Sequence, residues 1–521
     1  MSEKSNYIKV GMSSCGLAAG AEAVYNALKN YVKEKNLPVK IEKTGCLGIC
    51  YAEPLIEVKV DEKPSVLYKN VNKDLAIRIL ENIFQGQEAF KEYEVSEYPK
   101  QKKIVLKNCG RINPENIDDY IENQGYQAIK KVLNELGIEK TLEEIKKSGL
   151  RGRGGAGYPT WLKWKFTKEV EDTPKFIICN GDEGDPGAYM DRSVMEGDPH
   201  SIIEGMMIAG YVTGASRGFF FIRAEYPLAI ERIQKAIDVC YEKNFLGNRI
   251  FGSDFNFDME VRFGAGAFVC GEETSLIASI EGRRGYPSHR PPYPAIKGLW
   301  QKPTVINNVE TLANIPYIIL NGGENYSKIG TKESPGTKVF ALTGKIKKPG
   351  LVEVPMGTTL REIVEDIGGG VENSEKIKAV QTGGPSGGLI PEKYLDTPIS
   401  YESLEELGSI MGSGGMIVMD DSDSMIEVAK FFMKFCVEES CGKCAPCRIG
   451  TSQILNNLEK ISEGKGKLKD IEGLEKICNA MKKAAFCGLG QSAPNPVLST
   501  LKYFKNEYEE LLNDKSKNRR D

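Results

Sequence analysis

Three cysteines at two-residue spacing, Cys441, Cys444 and Cys447, constrain this chain more than any other feature. They lie in Ser-Cys441-Gly-Lys-Cys444-Ala-Pro-Cys447-Arg448, and a fourth, Cys487, follows in Phe-Cys-Gly-Leu-Gly. Thiolates select iron–sulfur clusters or zinc, and four of them suit either. A triplet leaves one corner of an iron–sulfur cube open. Cys487 closes that corner if the segment between folds back. Gly442 and Pro446 supply the tight turning that aims successive sulfurs inward. A structural zinc, or packed thiols that bind nothing, are the alternatives left open by spacing alone.

With 521 residues the chain is expected to form several domains. A formal net charge of -3 argues against nucleic acid as a partner. No apolar run reaches the length that spans a bilayer, so direct membrane insertion is not expected. Residues 1–7 have no apolar targeting core, and thirteen cysteines with CxxC spacing fit a reducing compartment, so a cytoplasmic location is expected.

Along the chain, residues 1–90 have a strand, helix, strand, hairpin and helix pattern, with Cys15, Cys46 and Cys50 at element edges. Residues 91–139 hold a polar linker, a short strand at Ile104-Val-Leu106 and lead-in helices, and a capping box is expected at Thr141. In 140–334 the first landmark is Arg151-Gly152-Arg153-Gly154-Gly155-Ala-Gly157-Tyr158, followed by Trp161, Lys163 and Phe166. Its glycines permit close backbone approach to a phosphate, its cations add charge, and its aromatic side chains offer stacking surfaces. A plain turn would use the same glycines.

A buried-type strand then ends in Asn180-Gly-Asp182-Glu183-Gly-Asp185, placed where α/β sheets bind ligands. A second glycine cluster, Gly264 to Glu273, contains Phe268, Gly271 and the acidic pair Glu272-Glu273, which also suits a helix cap. Beyond it come the stiff loop Arg290-Pro-Pro-Tyr293 and the helix start Asn307-Asn308-Val-Glu-Thr311. Residues 335–420 have a hairpin, helix and strand pattern. Residues 421–512 are helical around the cysteines, and 513–521 form a polar tail.

These motifs, in this order, resemble the NADH-binding flavoprotein subunit of respiratory complex I and of soluble NAD-linked hydrogenases and formate dehydrogenases. The resemblance implies an α/β multidomain fold. Its parts are a thioredoxin-like domain, a Rossmann-like FMN/NADH-binding domain, a ubiquitin-like β-grasp domain and a C-terminal helical bundle with an iron–sulfur cluster. Gly152, Gly154, Gly155, Lys163, Asn180, Asp182, Glu272, Asn307, Asn308 and Thr311 are then expected at FMN. Tyr158, Phe166, Asp185, Glu273 and Tyr293 are expected on the nicotinamide side, sharing Lys163, with Phe268 and Gly271 also on the cofactor surface. Glu183 is expected at the flavin edge. Glu183, Lys163 and Glu273 form the catalytic set, acting through field and positioning rather than proton transfer. Cys441, Cys444, Cys447 and Cys487 are expected to hold one [4Fe–4S] cluster.

Three departures from the family pattern stand out. Tyr158 replaces Phe, Trp161 replaces Gly and is expected to narrow the nicotinamide entrance, and Asp185 replaces a longer Glu. The N-terminal part resembles the thioredoxin-like ferredoxin domain, whose [2Fe–2S] cluster uses four cysteines. Only Cys15, Cys46 and Cys50 are present, and no thiol stands near Val10-Gly11. Either a non-thiolate donor such as Ser13, Ser14 or a partner's group completes a second cluster, or the domain serves docking alone.

The implied activity is hydride transfer from NADH to FMN and single-electron transfer to clusters within a multisubunit oxidoreductase. Expected partners are a small thioredoxin-like [2Fe–2S] subunit and a catalytic iron–sulfur subunit of a hydrogenase, formate dehydrogenase or other dehydrogenase. An electron-bifurcating version adds ferredoxin. A structural iron–sulfur scaffold without flavin leaves both glycine clusters and Lys163 unexplained. The sequence leaves NADH and NADPH open: the resemblance implies NADH, and Glu183 and Asp185 would repel a 2′-phosphate if they face the adenosine ribose.

Overall fold

The computed structural model describes residues 6–60, 63–84, 90–372 and 376–517, with side chains to residue 512. Residues 518–521 of the expected polar tail therefore lie outside the described residues, whereas 513–517 continue the helix Lys505–Lys517.

The first sheet contains β1 (Tyr7–Gly11), β2 (Lys40–Thr44), β3 (Ile56–Lys59) and β4 (Val66–Tyr68), in the order β2-β1-β3-β4. The parallel β1–β2 pair is bridged by the helix Ala21–Glu34, and β3 and β4 form an antiparallel hairpin. Alternation explains the burial: Ile8 and Val10 of β1, and Ile56 and Val58 of β3, point into one core against Val24, Leu28, Leu75 and Ile79 from two helices.

The following stretch is strapped down. Tyr98 is buried against the third sheet, and its hydroxyl donates to the Lys348 carbonyl at 3.0 Å. Ile104 to Leu106 is not a strand. The backbone N–H groups of Ile104, Val105 and Leu106 instead converge on the buried Glu353 carboxylate at 2.9, 3.1 and 2.9 Å. Thr141 does not cap a helix either. The helix begins at Gly137, and the Thr141 hydroxyl donates back to the Gly137 carbonyl at 2.6 Å.

The second sheet is entirely parallel: β5 (Phe176–Gly181), β6 (Arg217–Arg223), β7 (Asp258–Gly264) and β8 (Thr304–Asn308), ordered β7-β6-β5-β8. The central strands β5 and β6 read as near-continuous apolar runs because helices cover them, whereas the edge strand β7 is charged and partly exposed. The nearly all-buried helix Pro199–Thr213 packs beneath it. The chain runs outward from β5 through β6 to β7, then returns to the other side of β5 as β8. The order therefore reverses between β5 and β8.

The third sheet is mixed, with β9 (Thr337–Gly344), β10 (Gly350–Pro355), β11 (Ile377–Thr382), β12 (Leu389–Pro391) and β13 (Gly415–Asp420) in the order β10-β9-β13-β11-β12. Only β9 and β13 pair in parallel. The helices Met425–Glu439, Ala445–Ser462, Leu468–Ala484 and Asn495–Tyr503 then pack around Met433, Ile454, Leu458, Leu474 and Val497. Cys436 and Cys478 belong to that core. Among the described residues no helix is long and apolar enough to cross a membrane.

Candidate nucleotide cavity and cysteine centre

A crevice opens where the strand order reverses, beyond the carboxyl ends of β5 and β8, the position at which open parallel sheets take ligands. Asn180 and Asn308 are register partners there. Both line a cavity of about 700 Å³, together with Asn307, Gly271, Glu272, Glu273 and the glycine loop. That volume suits a cofactor and a second planar ligand.

The glycine loop is held by its own ends: the Gly152 N–H donates to the Tyr158 carbonyl at 2.8 Å. A Cβ at Gly154 would stand 3.0 Å from Asn308 Cβ, so the backbone approaches the strand end as only glycine allows. Two of the loop's cations support it from behind. Arg153 is fully buried and donates to the Thr337 carbonyl at 3.0 Å and the Pro335 carbonyl at 2.6 Å. Arg151 pairs with Glu402 and lies over the Tyr401 ring. Lys163 is the cation of this stretch that faces the cavity.

Lys163 Nζ bonds the Glu273 carboxylate and the Ile306 carbonyl, the latter at 2.8 Å. Arg290 reaches Glu272 at 3.1 Å and Glu273 at 3.6 Å from the opposite side. Glu272 is also the N-cap of the helix Glu273–Ile280, accepting from the N–H groups of Thr274 and Ser275, both at 3.0 Å. Capping and cavity lining are thus the same residue's work. Tyr158, Phe166 and Tyr293 leave 43%, 44% and 55% of their surface exposed on this cavity wall. Large rings left half-bare around one cavity offer flat apolar faces to its interior. Arg290 was absent from the expected site. Its signal in the sequence was a cation in the stiff loop that carries Tyr293.

Five expected residues do not line the cavity. The Glu183 carboxylate accepts the N–H groups of Asp191 and Arg192 at 3.1 and 3.2 Å, holding the start of the helix Met190–Gly197. Asp185 accepts from the Ser413 hydroxyl at 2.6 Å, beside the third sheet. Burial lifts the Asp185 carboxyl to about 6. Phe268 packs edge-on to Phe435 of the helical region. The Thr311 hydroxyl accepts the Arg153 N–H at 2.8 Å and so braces the glycine loop. Asp182 has both carboxylate oxygens buried without a hydrogen bond, beside Gly271, and desolvation lifts it to about 7. Trp161 does not narrow the entrance. It packs against the main core with Lys146 over its ring.

Cys441, Cys444, Cys447 and Cys487 line one small cavity with Val269, Pro287 and Phe486. Cys444 and Cys487 are N-caps of helices, and Cys447 lies in the first turn after Cys444, so successive sulfurs aim inward from helix starts. The sulfurs of Cys15, Cys46 and Cys50, in the first domain, all lie within 4.8 Å of one another. A tetrahedral zinc would draw four sulfurs to about 3.8 Å apart, given Zn–S bonds of about 2.3 Å. Four thiolates around one small cavity are a donor set that either a cluster or an ion can use.

The two cavities share a wall. The turn Phe268–Gly271 gives Val269 to the cysteine cavity and Gly271 to the nucleotide cavity. Residues two apart cannot be separated by more than about 7.6 Å between Cα atoms. Glu439, at the end of the helix that leads into the cysteine triplet, accepts the Phe268 N–H at 2.9 Å and fixes that wall.

Comparison with known proteins agrees with this geometry. The Nuo51 FMN-binding domain matches residues 145–317, the NADH-ubiquinone oxidoreductase-F iron–sulfur binding region matches 427–511, and the SLBB domain matches 339–390. The NADP-reducing hydrogenase subunit HndC of Solidesulfovibrio fructosivorans is 56% identical over 80% of this chain and 84% of that protein. The F-type subunit of the NADH-quinone oxidoreductase of Aquifex aeolicus is 43% identical over 78% of this chain and 93% of its own length. The structure of an NAD+-reducing [NiFe]-hydrogenase in the H2-reduced state aligns with a TM-score of 0.70 at 30% identity, covering 97% of this chain and 84% of that one. The chain therefore belongs to the family of FMN- and [4Fe–4S]-binding oxidoreductase subunits that includes the F-type subunits of NADH-quinone oxidoreductases.

Proposed function

We propose that this chain is the subunit at which NADH delivers electrons to a multisubunit oxidoreductase. The observation that carries the reading is the shared wall, which puts a dinucleotide-sized cavity and a four-cysteine centre within two residues of each other. When bound, FMN accepts electrons in a pair and releases them singly, which matches a dinucleotide to a cluster.

The chain's residues bind and orient. Gly152, Gly154 and Gly155 present backbone to the cofactor, and Asn180, Asn307 and Asn308 supply polar contacts at the strand ends. Asp182 lies behind the Gly271 wall, its two buried oxygens free to accept a hydrogen bond there. Tyr158, Phe166 and Tyr293 cover the open face, where a nicotinamide and an adenine can stack. Lys163 and Arg290 hold Glu273 between them, so that its carboxylate has a fixed direction for an amide or ribose hydroxyl. Cys441, Cys444, Cys447 and Cys487 hold the [4Fe–4S] cluster.

The domains proposed are 1–90, 140–334, 335–420 and 421–512, with 91–139 as a strap between the first two. The proposed partner is a catalytic iron–sulfur subunit, since the relatives are named as subunits of hydrogenases and quinone oxidoreductases. NADPH is the second reading, favoured by the name of the hydrogenase relative. It is also favoured by the engagement of Glu183 and Asp185 away from the cavity, which removes the expected repulsion of a 2′-phosphate. The kcat/KM for reduction of an artificial acceptor, measured with each dinucleotide on the flavin-loaded chain, decides between them. Preference for NADH by tenfold or more supports the first reading, and the reverse supports the second. Activity with neither refutes both.

A further inference from the structure

The three N-terminal cysteines come together in a manner that a two-iron cluster does not require. Their sulfurs all lie within 4.8 Å of one another, with Cys15 to Cys46 at 3.3 Å and Cys46 to Cys50 at 3.8 Å. A two-iron cluster divides its terminal ligands between two metals, so at least one of three sulfurs must stand well apart from the others. A single tetrahedral ion asks for sulfurs about 3.8 Å apart.

A fourth donor stands beside Cys15. Glu53 is buried, and Cys15 Sγ approaches its Oε1 at 3.7 Å. Its carboxylate also lies 3.3 Å from where a Cβ would stand on Gly11, beside the position that lacks a thiol. Among the described residues Glu53 forms no ion pair, and its other hydrogen bond is from the Leu55 N–H at 2.9 Å. A buried carboxylate without a cation, set beside Cys15 of a three-thiol cluster, is an unfavourable arrangement that a divalent ion would relieve. The serines fit less well. Ser14 is taken up by Glu196, at 2.9 Å from its N–H and 2.5 Å from its hydroxyl. The buried Ser13 hydroxyl makes no hydrogen bond, and so none to these sulfurs.

We propose that Cys15, Cys46, Cys50 and Glu53 form a mononuclear, tetrahedral site for zinc or another thiophilic divalent ion, in place of a [2Fe–2S] cluster. Binding displaces the three thiol protons and transfers no electron. The Gly48 N–H, 3.2 Å from Cys46 Sγ, offsets part of the thiolate charge. The site is a structural pin. The Cys15 loop is held to the second sheet's helices by Glu196 and by Arg232, which donates to the Met12 carbonyl at 2.8 Å. The Cys46–Cys50 loop pairs with β10, where the Leu351 N–H donates to the Gly48 carbonyl at 2.8 Å. One ion would tie both loops together.

The test uses the full chain, expressed in cobalt-supplemented medium and purified anaerobically. We expect about one cobalt per chain beside about four cluster irons, with the visible spectrum of tetrahedral Co²⁺–thiolate and X-ray absorption showing three sulfurs and one oxygen. Cys46→Ser should lose the cobalt while keeping FMN and the four irons. Glu53→Gln should hold it at least about tenfold more weakly against a competing chelator, and Ser13→Ala should leave it unchanged. A second iron–sulfur signal with iron and sulfide beyond one cluster would overturn the proposal. So would a chain without cobalt, or equal retention by Glu53→Gln. If the variants lose FMN as well, the ligand count at the cobalt of the unmutated chain decides alone.

Discussion

Lys163 and Glu273 meet across the cavity between β5 and β8, and Arg290 holds the same carboxylate from the far side at 3.6 Å. The two residues come from different sides of the nucleotide cavity, one after the glycine loop and one at the start of a helix. Their side chains are 21% and 27% exposed, so solvent screens the pair and its worth to stability is small, under about 1 kcal/mol. Its importance is directional. Glu273→Gln keeps the size and removes the charge, so FMN should remain bound while NADH-dependent acceptor reduction falls by about tenfold to a hundredfold. Steady-state kinetics beside a flavin assay checks both halves. Loss of flavin with activity would show that the pair holds the cofactor rather than the dinucleotide.

Arg290 tests the same arrangement from the side that the sequence did not announce. Arg290→Ala leaves Glu272 still capping its helix through Thr274 and Ser275, so the fold should survive. The expected change is a rise in KM for NADH of several-fold to about tenfold, with a smaller change in kcat, because uniform binding is what a peripheral cation contributes.

Cys487 is the distant member of its set and an N-cap in its own right. Cys487→Ala should open one corner of the cluster, giving a three-iron species or cluster loss while FMN stays. Iron and sulfide analysis with EPR of oxidised and reduced protein reads this directly. An intact four-iron cluster in the variant would remove Cys487 from the ligand set.

Asp182 gives a pH dependence with a definite sign. Burial raises its carboxyl to about 7 in the folded chain, above the ordinary value of 3.8. The folded state therefore binds more protons than the unfolded chain between those values, and stability falls as pH rises through that window. In flavin-free protein, Asp182→Asn should flatten the fall, by at most about 3 kcal/mol between about pH 5 and about pH 8. Thermal unfolding of both proteins at about pH 5 and about pH 8 measures it. A parallel loss in the variant would assign the dependence to other groups.

Much of this was legible before the structure, for physical reasons. A continuous apolar run marked β5, and the glycine clusters marked loops whose backbone must come close to something. The CxxC spacing is short-range geometry and survives any fold. What sequence could not supply was direction. Glu183 and Asp185 sit in an acidic loop of the right composition, yet their carboxylates turn to a helix start and to Ser413. Arg153 looked like a phosphate ligand and is a buried strut. Ile104 to Leu106 had strand-like residues, but a tertiary partner, Glu353, takes their N–H groups. Glu53 carried no local sign at all, since its meeting with Cys15 depends on how β1 and β3 pair.

An anaerobic titration of the purified, partner-free chain with NADH tests the central claim most directly. The account predicts about one FMN and one [4Fe–4S] cluster per chain. It also predicts that the flavin absorbance bleaches on adding NADH, because the cavity needs no other subunit for that step. Full NADH-dependent acceptor reduction by a preparation verified to contain no flavin would contradict it.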